Sequence, residues 1–497
     1  MLSNTAILGA GTFASKVLVL LLMPFYTSIL STAEFGAADL ISQTANLLMP
    51  LAAVGICDGI FRFTLDSAAE EEGRKRILST GMAILLFGGV LLLGLVQLLR
   101  FFEPLRDSLM LITLYVLAAN LHAALANYLR AMGRTALFAI QGIVNTILTI
   151  GLNILFLVTF QMGSTGYVLS VVLADFTMAA LLFFAARIYR DLSPRLINRR
   201  TARDMLKFSV PYIPTTILWL VTSVSDRYVV TAYCGEAENG LYAAAYKLPT
   251  LLTLVSGVFV EAWHFSTVKD TAEEEKGAFF GSVYVNFMSV MFMGASLIVA
   301  GAKGFTRILL ADAYFVSWRY VPLLSVATVF SALVSFLGSV YFLRKKSSHS
   351  MLTALAGAVV NVILNFVLIP QHGAMGAAVA TLISYLTVFA VRCYDTAYYL
   401  RFPLRLGRVA INGTALLLQS VAMVLSLPHE GWIQLGCLCF MLIFNGKGLV
   451  LTLLQILRRL RGRAKQKENR RREGNLTKKP QKKGKNFQKR LAFRKKV

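Results

Sequence analysis

Charge is scarce in this sequence. Only 15% of its 497 residues are Asp, Glu, Lys or Arg, against 56% that are hydrophobic. A chain with so little charge is composed as a polytopic membrane protein, and counting soluble domains from length does not apply. Acids are scarcest, with 25 against 50 Lys and Arg. The five cysteines, Cys57, Cys234, Cys393, Cys437 and Cys439, are scattered, and none forms a Cys-x-x-Cys pair. That argues against a metal or redox centre, and none is expected. There is no Walker A sequence, so ATP hydrolysis by that route is excluded. There is no G-x-S-x-G and no H-E-x-x-H. No A-x-A-like cleavage site follows the first apolar run, which reads as a retained helix and not as a signal peptide. Long connections are missing as well. The longest expected external loop has about 20 residues, so no loop can house a soluble catalytic domain. The chain reads as a non-enzyme.

What the sequence has instead is long apolar runs. Fourteen are long enough to cross a bilayer as a helix, for which about 20 residues are needed. They lie near 5–30, 37–63, 79–99, 106–128, 136–160, 164–187, 208–232, 239–264, 279–300, 320–343, 350–370, 374–398, 408–428 and 432–457. The short loops alternate in Lys/Arg content. One set holds Arg74–Arg76, Arg130 and Arg134, the cluster from Arg187 to Lys207, Lys269 and Lys276, Arg344–Lys346, and Arg392 to Arg408. The other holds only Arg100, Arg106, Lys303, Arg307 and Arg319. The positive-inside rule places the richer set, and both termini, in the cytoplasm.

A weak internal repeat divides the chain. Ala33-Glu34-Phe35-Gly36 is echoed by Ala237-Glu238-Asn239-Gly240. Asn145 and Asn153, followed by Gly163 and Gly166, are echoed by Asn361 and Asn365, followed by Gly373 and Gly376. Parallel repeats of this kind suggest two lobes with a site between them. The expected fold is all-α and polytopic, with about 14 transmembrane helices in two six-helix lobes plus two C-terminal helices. The lobes cover residues 1–200 (spans 1–6) and 201–400 (spans 7–12). Spans 13 and 14 occupy 401–457, and 458–497 is a basic, disordered cytoplasmic tail.

The net charge of +25 invites a nucleic-acid reading, but the tail carries most of it. Residues 458–496 hold 19 Lys or Arg against Glu468 and Glu473, which is 17 of the 25 net charges. A polybasic segment beside a membrane is attracted to anionic lipid headgroups. Anionic membrane lipids are therefore the expected partners of the tail, and nucleic acid is not.

An ionisable residue inside a span is costly, about 2.5–3.5 kcal/mol at a helix centre on insertion scales, and marks a functional site by default. Lys16 lies about eleven residues into its run, roughly 16 Å along a helix. That is deep for snorkelling, and it reads as lining a polar cavity. Asp58 and Arg62 are four apart and can pair on one helix face; an interfacial ion pair and a substrate role are both open. Asp39 lies near the external end and reads as a helix-terminus or gate residue. Asp226 and Arg227 are sequence neighbours in the outer part of span 7 and are expected to point to different faces. Lys247, Glu261 and His264 form a second polar set. Asn145, Asn153, Asn361 and Asn365 read as interhelical hydrogen-bonding residues. Asp175 is buried by position without an evident partner. Pro24, Pro50, Pro211 and Pro214 give their helices places to bend.

Three stretches carry a resemblance. They are the opening LSNTAILGAGTFASKVLVLLLMPFYTSILSTAEFGAADLISQTANLLMPLAAVGICDGIFRF, then SDRYVVTAYCGEAENGLYAAAYKL, then VVNVILNFVLIPQHGAMGAAVATLISYL. Together they resemble bacterial polysaccharide-export flippases of the multidrug/oligosaccharidyl-lipid/polysaccharide exporter superfamily, over roughly residues 1–455. The resemblance implies two six-helix lobes around a central cavity. It implies alternating-access translocation of undecaprenyl-diphosphate-linked oligosaccharide across the bacterial plasma membrane. Lys16 and Arg62 would then be cationic contacts for the diphosphate or sugar, with Asp58 positioning Arg62, and Asp226 and Arg227 would be cavity or gate residues. No cofactor is implied; coupling to an ion gradient or to the membrane potential stays open, as do glycan-assembly proteins as partners. The lipid II flippase branch carries several arginines in the first two spans, whereas the first span here has only Lys16. That favours capsule, O-unit or exopolysaccharide export over peptidoglycan precursor. A cation-coupled drug exporter and a membrane-embedded polymerase or ligase are the competing readings.

Overall fold

The structure, a computed structural model, describes residues 18, 20–67, 70–267, 273–344 and 346–446. Among them there is no strand; helices and short turns make up the architecture. Internal contacts divide the chain into residues 1–438 and 439–497. The described part of the second unit, 439–446, is helical. Both expected lobes fall within the first unit.

Eight helices are long and apolar enough on their own to cross a membrane, and three bent pairs raise the number to eleven among the described residues. The protein is thus an all-α, multi-pass membrane protein. Several expected spans differ in form. The second is not one helix. It runs as α2 (Thr32–Ala52) and α3 (Ile56–Asp66), after the short α1 (Met23–Ile29), and bends by 50° between them. Pro50 removes a donor inside α2, and Gly55 takes φ +66° at the break, where a side chain would be strained. The seventh is α8 (Arg199–Ser209) plus α9 (Ile213–Cys234), broken around Pro211. The eighth is α10 (Glu236–Tyr246) plus α11 (Thr250–Thr267), bent by 49°. The remaining helices are α4 (Glu71–Leu95), α5 (Leu109–Ala131), α6 (Thr135–Asn153), α7 (Gly163–Ala185), α12 (Glu273–Leu309), α13 (Val321–Arg344), α14 (Ser347–Tyr399) and α15 (Leu406–Val424). α14 covers two expected spans, and Gly373, at φ +57°, breaks the helical geometry between them.

The repeat is visible in space. α2 and α10 cross where their repeat-equivalent glycines, Gly36 and Gly240, face each other. A Cβ on Gly36 would overlap the carbonyl of Glu236, and one on Gly240 would overlap the carbonyl of Thr32. Small residues are what allow membrane helices to approach at backbone distance. Asn239 adds a hydrogen bond from its Nδ2 to the Gly36 carbonyl at 2.9 Å. α2 starts from a complete capping box: Ser31 accepts from the Glu34 amide, and Glu34 accepts from the Ser31 amide at 2.9 Å. The Glu34 carboxylate lies against Gly163. Its counterpart Glu238 lies against Gly373, and both glycines have positive φ.

This end of the bundle is sealed by a core drawn from both halves of the chain. Met23, Tyr26, Leu30, Phe35 and Leu157 pack with Ala243, Ala244 and Tyr314. Tyr314 sits in the 3-10 turn Asp312–Arg319, and its hydroxyl donates to the carbonyls of Leu30 and Ser31 at 2.9 and 2.8 Å. Burial pushes that phenol above its ordinary ionisation range, so it stays a donor at any physiological pH. Gly36→Ala and Gly240→Ala should each loosen this crossing, at the 1–3 kcal/mol typical of about one methyl too many in a packed site. Thermal unfolding of the purified protein reads this. Both variants are expected to melt below wild type, whereas Gly94→Ala, which meets open space, is not.

Candidate functional site: a buried charge bridge between the two halves

Below the glycine crossing lies a cluster of buried charges. Asp39 is two turns into α2, and Arg227 is two turns from the end of α9. Nε of Arg227 donates to Oδ2 of Asp39 at 2.9 Å. Nη1 donates to Oδ1 of Asp226 at 3.0 Å and to the Ser223 carbonyl at 3.1 Å. The side chains of Arg227 and Asp226 are 5% and 0% exposed, so neither charge is left to water. Tyr242 donates to the other Asp226 oxygen at 2.7 Å. The guanidinium also lies over the ring of Tyr246, 4.5 Å from its centroid. A planar fork with several donors is suited to hold two carboxylates and an aromatic face together. Between the same two helices, Thr44 of α2 and Tyr228 of α9 share a hydrogen bond at 2.7 Å. The bridge therefore joins one half of the chain to the other.

The expectation that Asp226 and Arg227 point to different faces is corrected. Neighbouring Cα–Cβ bonds do diverge, but the long arginine side chain folds back along α9 to reach both Asp226 and its own helix at Ser223. Lys247, expected with a separate polar set, belongs here. Its ammonium is 5.7 Å from the Phe35 ring centroid and within electrostatic reach of Asp39 and Arg227. It makes no ion pair among the described residues. The side chains of Glu261 and His264 lie outside the description. The bridge thus holds two acids and two bases. Tyr242 and Tyr246 were missed in the sequence, although their spacing of four on an Ala-rich helix puts them on one face.

The bridge has no copy across the repeat. The offset of 204 residues that maps Gly36 onto Gly240 maps Asp39 onto Ala243 and Arg227 onto Met23. Those two pack in the apolar core described above. One side of the pseudo-symmetric contact is ionic, and the other is greasy.

The other expected site residues lie elsewhere. Lys16 falls outside the described residues. The Asp58–Arg62 pair is not formed. Arg62 bonds Asp66 instead, one turn on, at 3.0 Å, and both are exposed. Asp58 occupies the first turn of α3, where the helix dipole favours an anion, and the nearby cation acting on it is Arg130 of α5. Arg62 is 23 residues beyond Asp39, or roughly 35 Å along helical chain. The site residues therefore occupy two levels of the bundle. Asp175 has partners that the sequence did not reveal, His122 and Asn145. Asn361 and Asn365 both bond Ser225 across the α9–α14 contact. A cavity of about 840 Å³, lined by Phe389, Tyr394, Tyr398, Arg401 and Leu406 among others, touches none of the expected site residues. Among the described residues no group of three or more His, Cys, Asp or Glu is placed to hold a metal.

The polysaccharide biosynthesis protein family matches residues 1–264, more than half of the chain. The chain belongs to that family. Its fold is that of the MOP superfamily transporters. A lipid II flippase, MurJ, in an inward closed conformation superposes with a TM-score of 0.67 at 14% identity, covering 90% of this chain and 100% of that one. An inward-facing multidrug resistance MATE family transporter gives 0.63 at 15% identity, covering 77% and 95%. A MOP superfamily transporter from Pyrococcus furiosus, described as having a binding pocket of reverse polarity, gives 0.53 at 14%, covering 79% and 95%. No curated protein sequence matches the chain. The chain is thus a multi-pass member of the polysaccharide biosynthesis family with the fold of the MOP superfamily transporters, in line with the resemblance noted in its sequence.

Arg227→Ala strands Asp39 and Asp226 together in a buried site, a change that costs about 3–5 kcal/mol when one partner of a buried pair is removed. Asp39→Asn keeps an acceptor and leaves Asp226 to balance Arg227, and should cost much less. Membrane abundance and melting temperature are expected to fall in the order wild type, Asp39→Asn, Arg227→Ala. Equal values for all three would show that the bridge does not hold the halves together.

Proposed function

We propose that the protein flips an undecaprenyl-diphosphate-linked oligosaccharide across the bacterial plasma membrane by alternating access, for capsule, O-unit or exopolysaccharide export. The observation that carries this is the Asp39–Arg227 bridge, a buried ionic contact between the two halves of a chain in the polysaccharide biosynthesis family. A contact of that kind is suited to a gate. It has a low-energy closed form, and its charges need a replacement partner when it opens. A diphosphate is such a partner for a cation, since charge-assisted hydrogen bonds to phosphate are strong and bidentate for arginine. In this reading Lys16, Arg62, Arg227 and Lys247 take the diphosphate in turn, and Asp39, Asp58 and Asp226 hold the cations when it is absent. Both termini lie in the cytoplasm, and the sealed Gly36–Gly240 end faces outward. The basic tail lies on anionic lipid. The MurJ likeness keeps lipid II as the second substrate; the single cation in the first span weighs against it.

The test is a liposome assay with a fluorescent undecaprenyl-diphosphate oligosaccharide, in which a membrane-impermeant quencher reports the outer leaflet. The reconstituted protein is expected to expose the inner-leaflet pool, and empty liposomes are not. Lys16→Ala should slow this by about 10- to 100-fold, as expected when a charged hydrogen bond of about 1.5–3 kcal/mol is lost. Lys16→Arg should keep part of the rate. A protein that moves lipid II but not a multi-sugar oligosaccharide would reassign the substrate, and one that moves neither would end the proposal.

A further inference from the structure

The cavity at the junction of α14 and α15 has no part in the proposed function. Its volume of about 840 Å³ is within the range of ligand pockets. Its long wall is one face of α14, where Ala390, Tyr394, Ala397 and Tyr398 follow a helical spacing. All four are exposed, Tyr394 by 89% and Tyr398 by 86%. The other face of the same stretch, with Val388, Arg392 and Thr396, is buried in the bundle. Past Ala397 the lining continues through Arg401, Leu404 and Leu406, the last being the first residue of α15. A smaller cavity of about 170 Å³ shares Ala397, Arg401 and Leu404 with it. The space is thus a groove with an apolar and aromatic length and a cation at one end.

The turn that carries Arg401 is fixed in place. Leu400 ends α14 with its amide on the Thr396 carbonyl at 2.9 Å. A Cβ on Gly277 of α12 would sit 2.6 Å from the Arg401 carbonyl oxygen, and one on Gly281 would sit 2.6 Å from the Pro403 ring. Phe402, between them, packs on Phe280 and Tyr284 with ring centroids 5.8 and 6.0 Å apart. The turn is therefore fastened to α12 before any ligand arrives, which lowers the ordering cost of binding. Arg401 itself is exposed and makes no ion pair among the described residues. Around it the charge is of one sign. Residues 389–412 hold Arg392, Arg401, Arg405 and Arg408 against a single acid, Asp395. That carboxylate is already engaged. Tyr341 donates to its Oδ2 at 2.6 Å, and Nδ1 of His349 lies 3.2 Å from its Oδ1.

The occupant that fits is amphiphilic and anionic. With both termini in the cytoplasm, this end of α14 lies at the cytoplasmic surface. Tyrosine rings sit at headgroup level there, and basic pockets between transmembrane helices on that side bind anionic headgroups. The apolar length of the groove suits one acyl chain. Arg401 suits a phosphate, which a guanidinium holds through two parallel hydrogen bonds. A zwitterionic headgroup brings an ammonium of the same sign as the arginines and fits less well. The chain's own basic tail carries that sign too.

We propose that the groove binds an anionic phospholipid of the cytoplasmic leaflet, with one acyl chain along Ala390–Ala397 and the phosphate on Arg401. The site is separate from the Asp39–Arg227 bridge, and it does not depend on what the protein transports. The test uses the full-length protein in phosphatidylethanolamine bilayers that contain phosphatidylglycerol with a diazirine on one acyl chain. After irradiation, adducts are mapped by peptide mass spectrometry. They are expected on the Ala390–Tyr398 face well above the level on Phe87 and Leu91, exposed apolar residues of α4. Unlabelled phosphatidylglycerol is expected to compete them away, which the host phosphatidylethanolamine does not do. Arg401→Gln should lower the α14 adducts by about tenfold or more, as when a hydrogen bond to a charged group is lost. Arg401→Lys should keep part of them. Ala397→Phe keeps the cation and should lower them by filling the groove. Unchanged α4 adducts in each variant report that it is folded and reconstituted. Adducts on α14 no stronger than those on α4, or unchanged in Arg401→Gln, would overturn the proposal. So would displacement by an undecaprenyl-diphosphate oligosaccharide but not by phosphatidylglycerol, which would assign the groove to the cargo.

Discussion

Arg227 is the point on which the two halves meet. A guanidinium in the interior of a membrane bundle is tolerable only with its donors and its charge both satisfied. The protein does this with two carboxylates, a backbone carbonyl and an aromatic face. One of those carboxylates, Asp39, comes from the other half of the chain. The contact above it is of a different kind. Gly36 and Gly240 let two helix backbones touch, and Asn239 and Tyr314 use the carbonyls exposed there. The ionic bridge thus sits beneath a tightly packed apolar seal, screened from solvent on that side.

The same features make the contact reversible. A backbone crossing over two glycines depends on shape and is lost at once when the helices part. A charge bridge does not simply vanish; its ions must be re-satisfied. Under the proposed function, the diphosphate of an anionic cargo would supply the new partner for the cations at that point. The lack of symmetry is informative here. The repeat-related position is filled by Met23 and Ala243, so opening breaks one ionic contact and one hydrophobic one. Bends at Pro50–Gly55 and around Pro211 lie on the helices that carry Asp39 and Arg227, and give each a place to move without unpacking the remainder.

Much of this was legible in the sequence. Apolar runs of sufficient length announced an all-α membrane bundle, and the Ala-Glu-x-Gly echo announced an internal repeat; that its glycines Gly36 and Gly240 meet in a close crossing is visible only in the structure. Intramembrane charge pointed to Asp39, Asp226 and Arg227 for the same energetic reason that it is rare. Partnerships were harder to read. Arg62 chose Asp66 over Asp58 because both lie one turn away, and spacing alone does not rank them. Arg227 folded back onto Asp226 because its side chain is long, which helical-wheel reasoning ignores. The partners of Asp175 come from α5 and α6, and no local pattern encodes a contact between residues 53 positions apart.

The account turns on whether the α2–α10 contact must open during transport. Cysteines at Ala33 and Ala237 sit one turn before the crossing glycines on the two helices, within reach of a short, reducible bis-thiol cross-linker. In a background lacking the native cysteines, flipping of the labelled diphosphate-linked oligosaccharide is measured before cross-linking, after it, and after reduction. The account predicts loss of flipping on cross-linking and its return on reduction. Flipping at an unchanged rate in the fully cross-linked protein would contradict it.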